Sequence, residues 1–290
     1  RTYKIYIPDR KKEGYGPTIK SFEKLIRNDV KIIFTVDCGT LSFEAIEYAK
    51  ENNIDVIVLD HHQSEINLPK AFSVINPNRL DDKSNLQYLC AAGVAFMFLV
   101  SINRELRMID WFNKNGINEP NLINYLDLVS LGTVCDVVPL IGLNRAIVKQ
   151  GLKILKGKKN LGLKTLLDIC KIESSPSIYH LGFMLGPRIN AGGRVGKCSH
   201  GANLLLNTDP KNAFKLASEL DQFNKERQIL EKDLLQKLLN ETKDYSKDPV
   251  LVLSGYNWHE GIIGIVAARL KDKFNKPVII ISINDKIGKA

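Results

Sequence analysis

The chain has 290 residues, 44% hydrophobic and 25% charged, which excludes a disordered segment and leaves room for two domains. Its formal net charge of +9 suits a polyanionic partner such as nucleic acid, and suits an ordinary lysine-rich surface equally well. Cysteines at 38, 90, 135, 170 and 198 form no Cys-x-x-Cys pair, which argues against a zinc or disulfide framework and for a reducing compartment; the longest apolar run, 90–102, falls short of the ~20 residues of a membrane helix.

The first eighty residues alternate strand and helix. "YKIYIP" (3–8) reads as a short strand, and "PTIKSFEKLIR" (17–27) carries a helical stripe at 19, 22, 25 and 26. "KIIFTVD" (31–37) is a β-branched run, hence a buried strand. "SFEAIEYAKENN" (42–53) opens on Ser42 as a cap, with Phe43, Ile46 and Ala49 on one face. "DVIVLD" (55–60) and "FSVINP" (72–77) are two further strands. Apolar strands separated by helices predict a parallel sheet covered on both faces. From about 90 to 207 the pattern is mainly helical. Residues 209–245 predict one long helix: Asp209 caps, Pro210 suits the first turn, and Ala213, Leu216, Leu220, Phe223, Leu230 and Leu234 form a seam interrupted at Arg227. "PVLVLSG" (249–255), "GIIGIVAARLKDKF" (261–274) and "KPVIIISI" (276–283) then read as strand, helix and strand, the start of a second α/β unit. No internal repeat or low-complexity tract interrupts this order.

Two successive strands end on an acid, "FTVD" at Asp37 and "VIVLD" at Asp60, and Asp60 runs directly into His61 and His62. In open parallel sheets ligands bind beyond the carboxyl ends of strands. Neighbouring strands lie ~4.8 Å apart, so acids at adjacent ends approach each other, and two close carboxylates repel unless a cation or proton lies between them. Imidazole with carboxylates suits Mn²⁺, Mg²⁺ or Zn²⁺. Asp136 stands inside an otherwise apolar run, "LVSLGTVCDVVPL" (128–140), where an unpartnered carboxylate is costly. The structural alternatives are a helix cap for Asp37, a polar loop for the histidines and a helix-terminal salt bridge for Asp136. "GPRINAGGRVG" (186–196) reads as a glycine-rich loop bringing N–H groups and guanidinium toward phosphate, although such loops are common. Trp258 and His259 precede a helix whose start can receive an anion. Trp258 can stack on a base or close the start of the helix from within.

The motifs "IPDR…EGYG" (7–16), "TVDCGT", "DHH", "GTVCDVVPL", "GPRINAGGRVG" and "WHEGIIGIVAARL" occur in the order found in the RecJ family, single-strand-specific 5′→3′ exonucleases of the DHH phosphoesterase superfamily. The chain resembles that family over nearly its whole length. The resemblance implies an α/β fold: a DHH-type domain over 1–208 with a helical extension, a connecting helix over 209–246, and the start of a DHHA1-type domain over 247–290. It implies a Mn²⁺ or Mg²⁺ two-metal site in which Asp37 bridges the ions and His61 and Asp136 complete one shell. His62 then points at the scissile phosphate and Asp60 orients the histidines. Arg10, Arg188, Asn190, Arg194, Trp258 and His259 fall in motifs assigned to the DNA path. Single-stranded DNA is the implied substrate, with single-strand-binding protein and a helicase as candidate helpers, no membrane partner, a monomeric state and a cytoplasmic location.

The family also carries an Asp-x-Asp-Gly strand that supplies further ligands, and no Asp-x-Asp occurs here. The chain ends at "IGKA", where the family continues into a phosphate-binding segment and an OB-fold. It also begins without an initiator Met or an apolar signal core. The expectation is therefore an internal fragment with an incomplete metal site and no activity by itself. Two other readings stay open: a DHH-type hydrolase of small phosphorylated molecules, and a non-catalytic relative that binds DNA.

Overall fold

Strands Ile32–Val36 (β1), Asp55–Leu59 (β2) and Ser73–Ile75 (β3) lie side by side and parallel in that order in the computed structural model, which describes residues 3–9, 13–241 and 248–290. The register sets Val36 opposite Leu59, so the residues that follow, Asp37 and Asp60, emerge together at the carboxyl edge. The amide of Asp37 donates to the Leu59 carbonyl at 3.0 Å and that of Asp60 to the Ile75 carbonyl at 3.1 Å, which carries the ladder one step beyond the strands.

Helix α1 (Ile19–Ile26) starts at Thr18, where Thr18 and Ser21 cap each other reciprocally. Helix α2 (Phe43–Glu51) starts at Ser42, whose side chain makes no cap bond, unlike the sequence expectation. Phe22, Ile33, Ile46, Val56, Val58 and Val74 make the core between these helices and one sheet face. The other face differs from the expectation: among the described residues β1 is an edge strand, and Ile32, Phe34 and Val36 are each about half exposed. There α3 (Ala91–Met108) reaches β1 through Phe98, 6.1 Å from the ring of Phe34. Residues 3–8 are not a strand. They pair with none of the described strands; Tyr6 packs on the core while Tyr3, Ile5 and Ile7 face solvent.

The helical stretch contains α4 (Leu126–Cys135), α5 (Gly142–Lys156) and α6 (Leu161–Ile169). Leu126, Val129 and Ile147 join α4 to α5, and the Ser130 hydroxyl, turned into that contact, is 3.1 Å from the Ile147 carbonyl. Apolar on nearly all sides, α4 carries Asp136 at its C-terminal cap. A π-helical turn, His180–Leu185, follows and runs into α7 (Gly186–Val195). The glycine-rich segment is thus helical and not a phosphate loop. Two of its glycines serve close packing: a Cβ on Gly196 would lie 2.4 Å from the Phe223 ring, and one on Gly192 3.0 Å from the Lys197 carbonyl, whereas Gly193 faces open space.

The chain divides into two compact units, Arg1–Gly186 and Pro187–Ala290. In the second, α8 (His200–Leu205) and the long helix α9 (Pro210–Glu241) are followed by β4 (Leu251–Tyr256), α10 (Glu260–Phe274) and β5 (Val278–Asn284). β5 turns back antiparallel into β6 (Ile287–Lys289), a strand the sequence reading lacks. The Asp209 carboxylate caps α9 by accepting from the Asn212 amide at 2.8 Å. The helix does not break at Arg227; residues 242–245 of the expected span lie outside the described residues. Its seam is as expected at Ala213, Leu216, Leu220 and Leu234, but Leu230 is 38% exposed. Glu231, 5% exposed, takes the inward position, because Arg227 at 2.7 Å and Arg269 neutralise it there. Leu234, Leu238, Leu253, Trp258, Val266 and Ile280 complete this unit's core.

Candidate metal centre

The site is assembled at the carboxyl edge of the first sheet. Asp37 leaves β1 in the left-handed region, φ 63°, a conformation that Asp tolerates better than most residues. Two residues on, Gly39 has φ 112°, and a Cβ there would lie 2.5 Å from the Thr35 hydroxyl oxygen; only glycine fits this turn. The turn aims the Asp37 carboxylate back over the sheet edge, where its Oδ1 lies 3.2 Å from Nε2 of His61. The same nitrogen is 3.4 Å from Oδ2 of Asp136. Donor atoms of Asp37, His61 and His62 all fall within 4.8 Å of one another. Asp37, His61, His62 and Asp136 therefore converge on one small volume, with His61 between the two acids.

Asp60 plays a different part. It is buried, 1% exposed, and its carboxylate collects donors: the amides of Thr40 at 3.1 Å and His61 at 2.8 Å, and Nδ1 of His62 at 2.7 Å. Burial by itself would raise the Asp60 pKa, but the bonds from Thr40, His62 and His61 outweigh it and hold the carboxyl below its usual value. Asp60 is thus ionised and fixes the proton of His62 on Nδ1, which leaves Nε2 as the unprotonated nitrogen; the Tyr15 hydroxyl lies beside the ring, 3.2 Å from Nε2 and 3.4 Å from Nδ1. Such carboxylate–imidazole pairs set tautomer and ring orientation.

Around this core, Asn76 donates to the Thr40 hydroxyl at 2.9 Å and to the His62 carbonyl at 2.8 Å, and Asn78 donates to the His61 carbonyl at 2.5 Å. The Tyr15 hydroxyl donates to the Asp37 carbonyl at 2.5 Å. Sequence reading passed over Tyr15, Thr40, Asn76 and Asn78. A signal was present for the asparagines: "INPN" follows β3 just as Asp37 and Asp60 follow β1 and β2.

The field selects positive charge. The Asp37 hydrogen bond raises the His61 pKa against the opposing effect of burial, and the charges of Asp136 and Asp60 add to it. Burial raises the Asp136 carboxyl; His61 opposes that, while Asp37 reinforces it. Two carboxylates facing one imidazole, with Asp136 disfavoured as an anion by burial and by Asp37, form a donor set that fits a hard divalent cation. Ligation would require the neutral imidazole, so cation and proton compete for His61.

Of the residues assigned to the DNA path, all but Arg10 belong to the second unit. Arg10 lies outside the described residues. In the second unit, Arg188 pairs through Nε with Asp221 at 2.8 Å, and Arg194 donates from Nη1 to the Gly261 carbonyl at 3.0 Å. Asn190 is exposed. His259 caps α10, its Nδ1 accepting from the Gly261 amide at 3.1 Å, and Glu260 already supplies the first turn with an anion. Trp258 is 9% exposed and belongs to the core. The stacking surface expected of it is taken up by packing, since Gly255 admits the ring where a Cβ would come within 2.3 Å.

A parallel sheet with acid–imidazole strand ends, met by a carboxylate from a helix end, defines the class. Residues 1–133 match the DHH family, N-terminal domain. Among curated proteins, the single-stranded-DNA-specific exonuclease RecJ of Dickeya dadantii is 38% identical over 286 residues, covering 96% of this chain and 50% of that protein. Among solved structures, exonuclease RecJ bound to manganese superposes with a TM-score of 0.82 at 32% identity, over 96% of this chain and 67% of that one. RecJ from Thermus thermophilus in complex with Mn²⁺ gives 0.78 at 31%, over 91% and 38%. The chain belongs to the DHH family, in its RecJ branch. It spans about half the length of the curated relatives it matches.

Proposed function

We propose that this chain is the catalytic portion of a divalent-metal-dependent nuclease that hydrolyses single-stranded DNA from the 5′ end, in repair and recombination. The observation that carries the reading is the convergence of Asp37 and Asp136 on Nε2 of His61, at 3.2 and 3.4 Å, in a chain whose relatives are single-stranded-DNA-specific exonucleases. Asp37, His61 and Asp136 would hold the ion, Mn²⁺ or Mg²⁺. When bound, such an ion lowers the pKa of its water and neutralises charge on the phosphoryl group. Asp60 keeps the proton of His62 on Nδ1, so that Nε2 is the nitrogen presented to the scissile phosphate. The Tyr15 hydroxyl holds the Asp37 backbone and borders that nitrogen. Arg10, Arg188, Asn190, Arg194 and His259 are assigned to the strand's path by their motifs.

The domain reading, DHH-type over 1–208 and DHHA1-type from 247, belongs to this proposal, as do the cytoplasmic location, the monomeric state and help from single-strand-binding protein and a helicase. Among the described residues, no helix is long and apolar enough to cross a membrane. The test is the full-length protein on 5′- and 3′-labelled oligonucleotides, single-stranded and duplex, with Mn²⁺, Mg²⁺ or chelator. Metal-dependent loss of single strand from the 5′ end is expected. Preferential hydrolysis of pyrophosphate or cyclic dinucleotides, with the oligonucleotides untouched, would overturn the reading.

A further inference from the structure

The π-helical turn His180–Leu185 presents an unusual surface. A surface helix ordinarily shows solvent a polar face. Here Leu181 and Leu185 are fully buried, while the opposite side carries Tyr179, 62% exposed, and Phe183, 71% exposed, with Ile178 beside them at 43%. The two aromatic rings are stacked, with centroids 5.2 Å apart and planes 26° from parallel. Tyr179 also meets the His180 ring edge-on at 6.0 Å, and that imidazole is held by the Ser177 amide, which donates to Nδ1 at 3.0 Å. Tyr179 is therefore braced on two sides, and the pair is preorganised as an exposed aromatic stack whose outer member, Phe183, is 71% exposed.

The turn is also tied to the helix end that delivers Asp136. The Gly186 amide donates to the Leu181 carbonyl, closing the wide turn, and the Cys135 thiol donates to the same carbonyl at 3.6 Å. A Cβ on Gly186 would lie 2.4 Å from the Cys135 sulfur, and one on Gly182 3.3 Å from Val134. Cys135 immediately precedes Asp136. Wide turns of this kind are found frequently at functional sites.

We propose that Tyr179 and Phe183 form a stacking platform for the bases of single-stranded DNA, next to the helix end that supplies Asp136 to the metal centre. Planar aromatic faces receive any base, whereas phosphates are drawn by the basic surplus of a chain with net charge +9. Paired duplex bases expose no such faces, so the platform favours single strands. The proposal rests on the nuclease reading and adds to it a specific subsite for the strand.

The test uses full-length protein in chelator, so that binding is measured without hydrolysis. Two fluorescent probes of equal length are titrated, one of thymidine nucleotides and one abasic with the same phosphates. Wild type is expected to prefer the thymidine strand about tenfold, toward the low end of what one stacked base contributes. The Tyr179→Ala/Phe183→Ala variant should lose that preference and keep its affinity for the abasic strand; Phe183→Tyr should retain it. An unchanged preference in the double variant overturns the proposal. So does a marked fall in its melting temperature with equal loss on both probes, which would mean that the face is covered by another part of the protein. A wild type that degrades single strands with metal, yet binds both probes alike, refutes the platform and leaves the nuclease reading standing. One that neither binds nor degrades either strand refutes both.

Discussion

His61 and Asp136 meet at 3.4 Å, although one follows a strand of the sheet and the other ends a helix packed in a separate apolar layer. The contact has no local cause: α4 is held by Leu126, Val129 and Ile147, and its C-terminal cap happens to be the point that overhangs the sheet edge. Asp136→Ala in the full-length protein should therefore abolish metal-dependent hydrolysis with little change in the fold, because Asp136 contributes nothing to the α4 core. Single-strand affinity should survive, since in the proposed reading it rests on phosphate contacts and stacking. Salt-dependent binding titrations beside a Mn²⁺-dependent nuclease assay check this. Near-normal turnover at saturating metal would remove Asp136 from the ligand set.

Asp60→Asn probes orientation. The amide keeps the shape but cannot accept from both the backbone amides and His62 as a carboxylate does. Orienting partners of this kind typically affect metal affinity or activity by ~10–100-fold, and a loss in that range is expected. Isothermal titration with Mn²⁺, together with the histidine NMR tautomer signature, is the appropriate measurement. A variant with wild-type affinity and an unchanged His62 tautomer would show that Asp60 serves the backbone alone.

Gly186→Ala tests the π turn. The added methyl meets the Cys135 sulfur at 2.4 Å and the Leu181 carbonyl at 3.0 Å, an overpacking expected to lower stability by ~1–3 kcal/mol. Cys135→Ala in the same chain removes the sulfur and should restore part of the loss, giving a non-zero coupling in the double-mutant cycle. Urea unfolding of the four proteins reads it. Additive effects would mean that the turn relaxes without help from Cys135.

Asp221 links the second unit to pH. Burial raises its carboxyl, but Lys225 and Arg188 outweigh that, and its pKa is lowered in the folded state. A depressed folded value means that the stabilisation is present above the unfolded carboxylate pKa of ~3.9 and is lost as pH falls through the folded value. Unfolding midpoints measured from neutral pH down to about pH 3 should drop at the acid end. Asp221→Asn should be less stable at neutral pH and show a shallower acid drop. Equal slopes for the two proteins would assign the acid sensitivity to other carboxylates.

What the sequence determined by itself was local. β-branched runs and helical stripes specified β1, α1, α2, β2 and β3, because side-chain periodicity and backbone preference act over a few residues. Asp37 and Asp60 were legible as candidate site residues for the same reason: the end of an apolar strand is a local feature, and parallel neighbours bring such ends together. Tertiary structure decided the rest. Residues 3–8 have strand-like composition, but a strand is defined by its ladder partner. Leu230 fits the seam of α9, yet Glu231 turns inward because Arg269, on another helix, helps neutralise it. The glycines of 186–196 read as a phosphate loop, although their spacing matches the ring of Phe223 and the sulfur of Cys135, neighbours that exist only after packing. Likewise the approach of Asp136 and Tyr15 to the two histidines depends on layers distant in the chain, and periodicity carries no information about which layer a helix end overhangs.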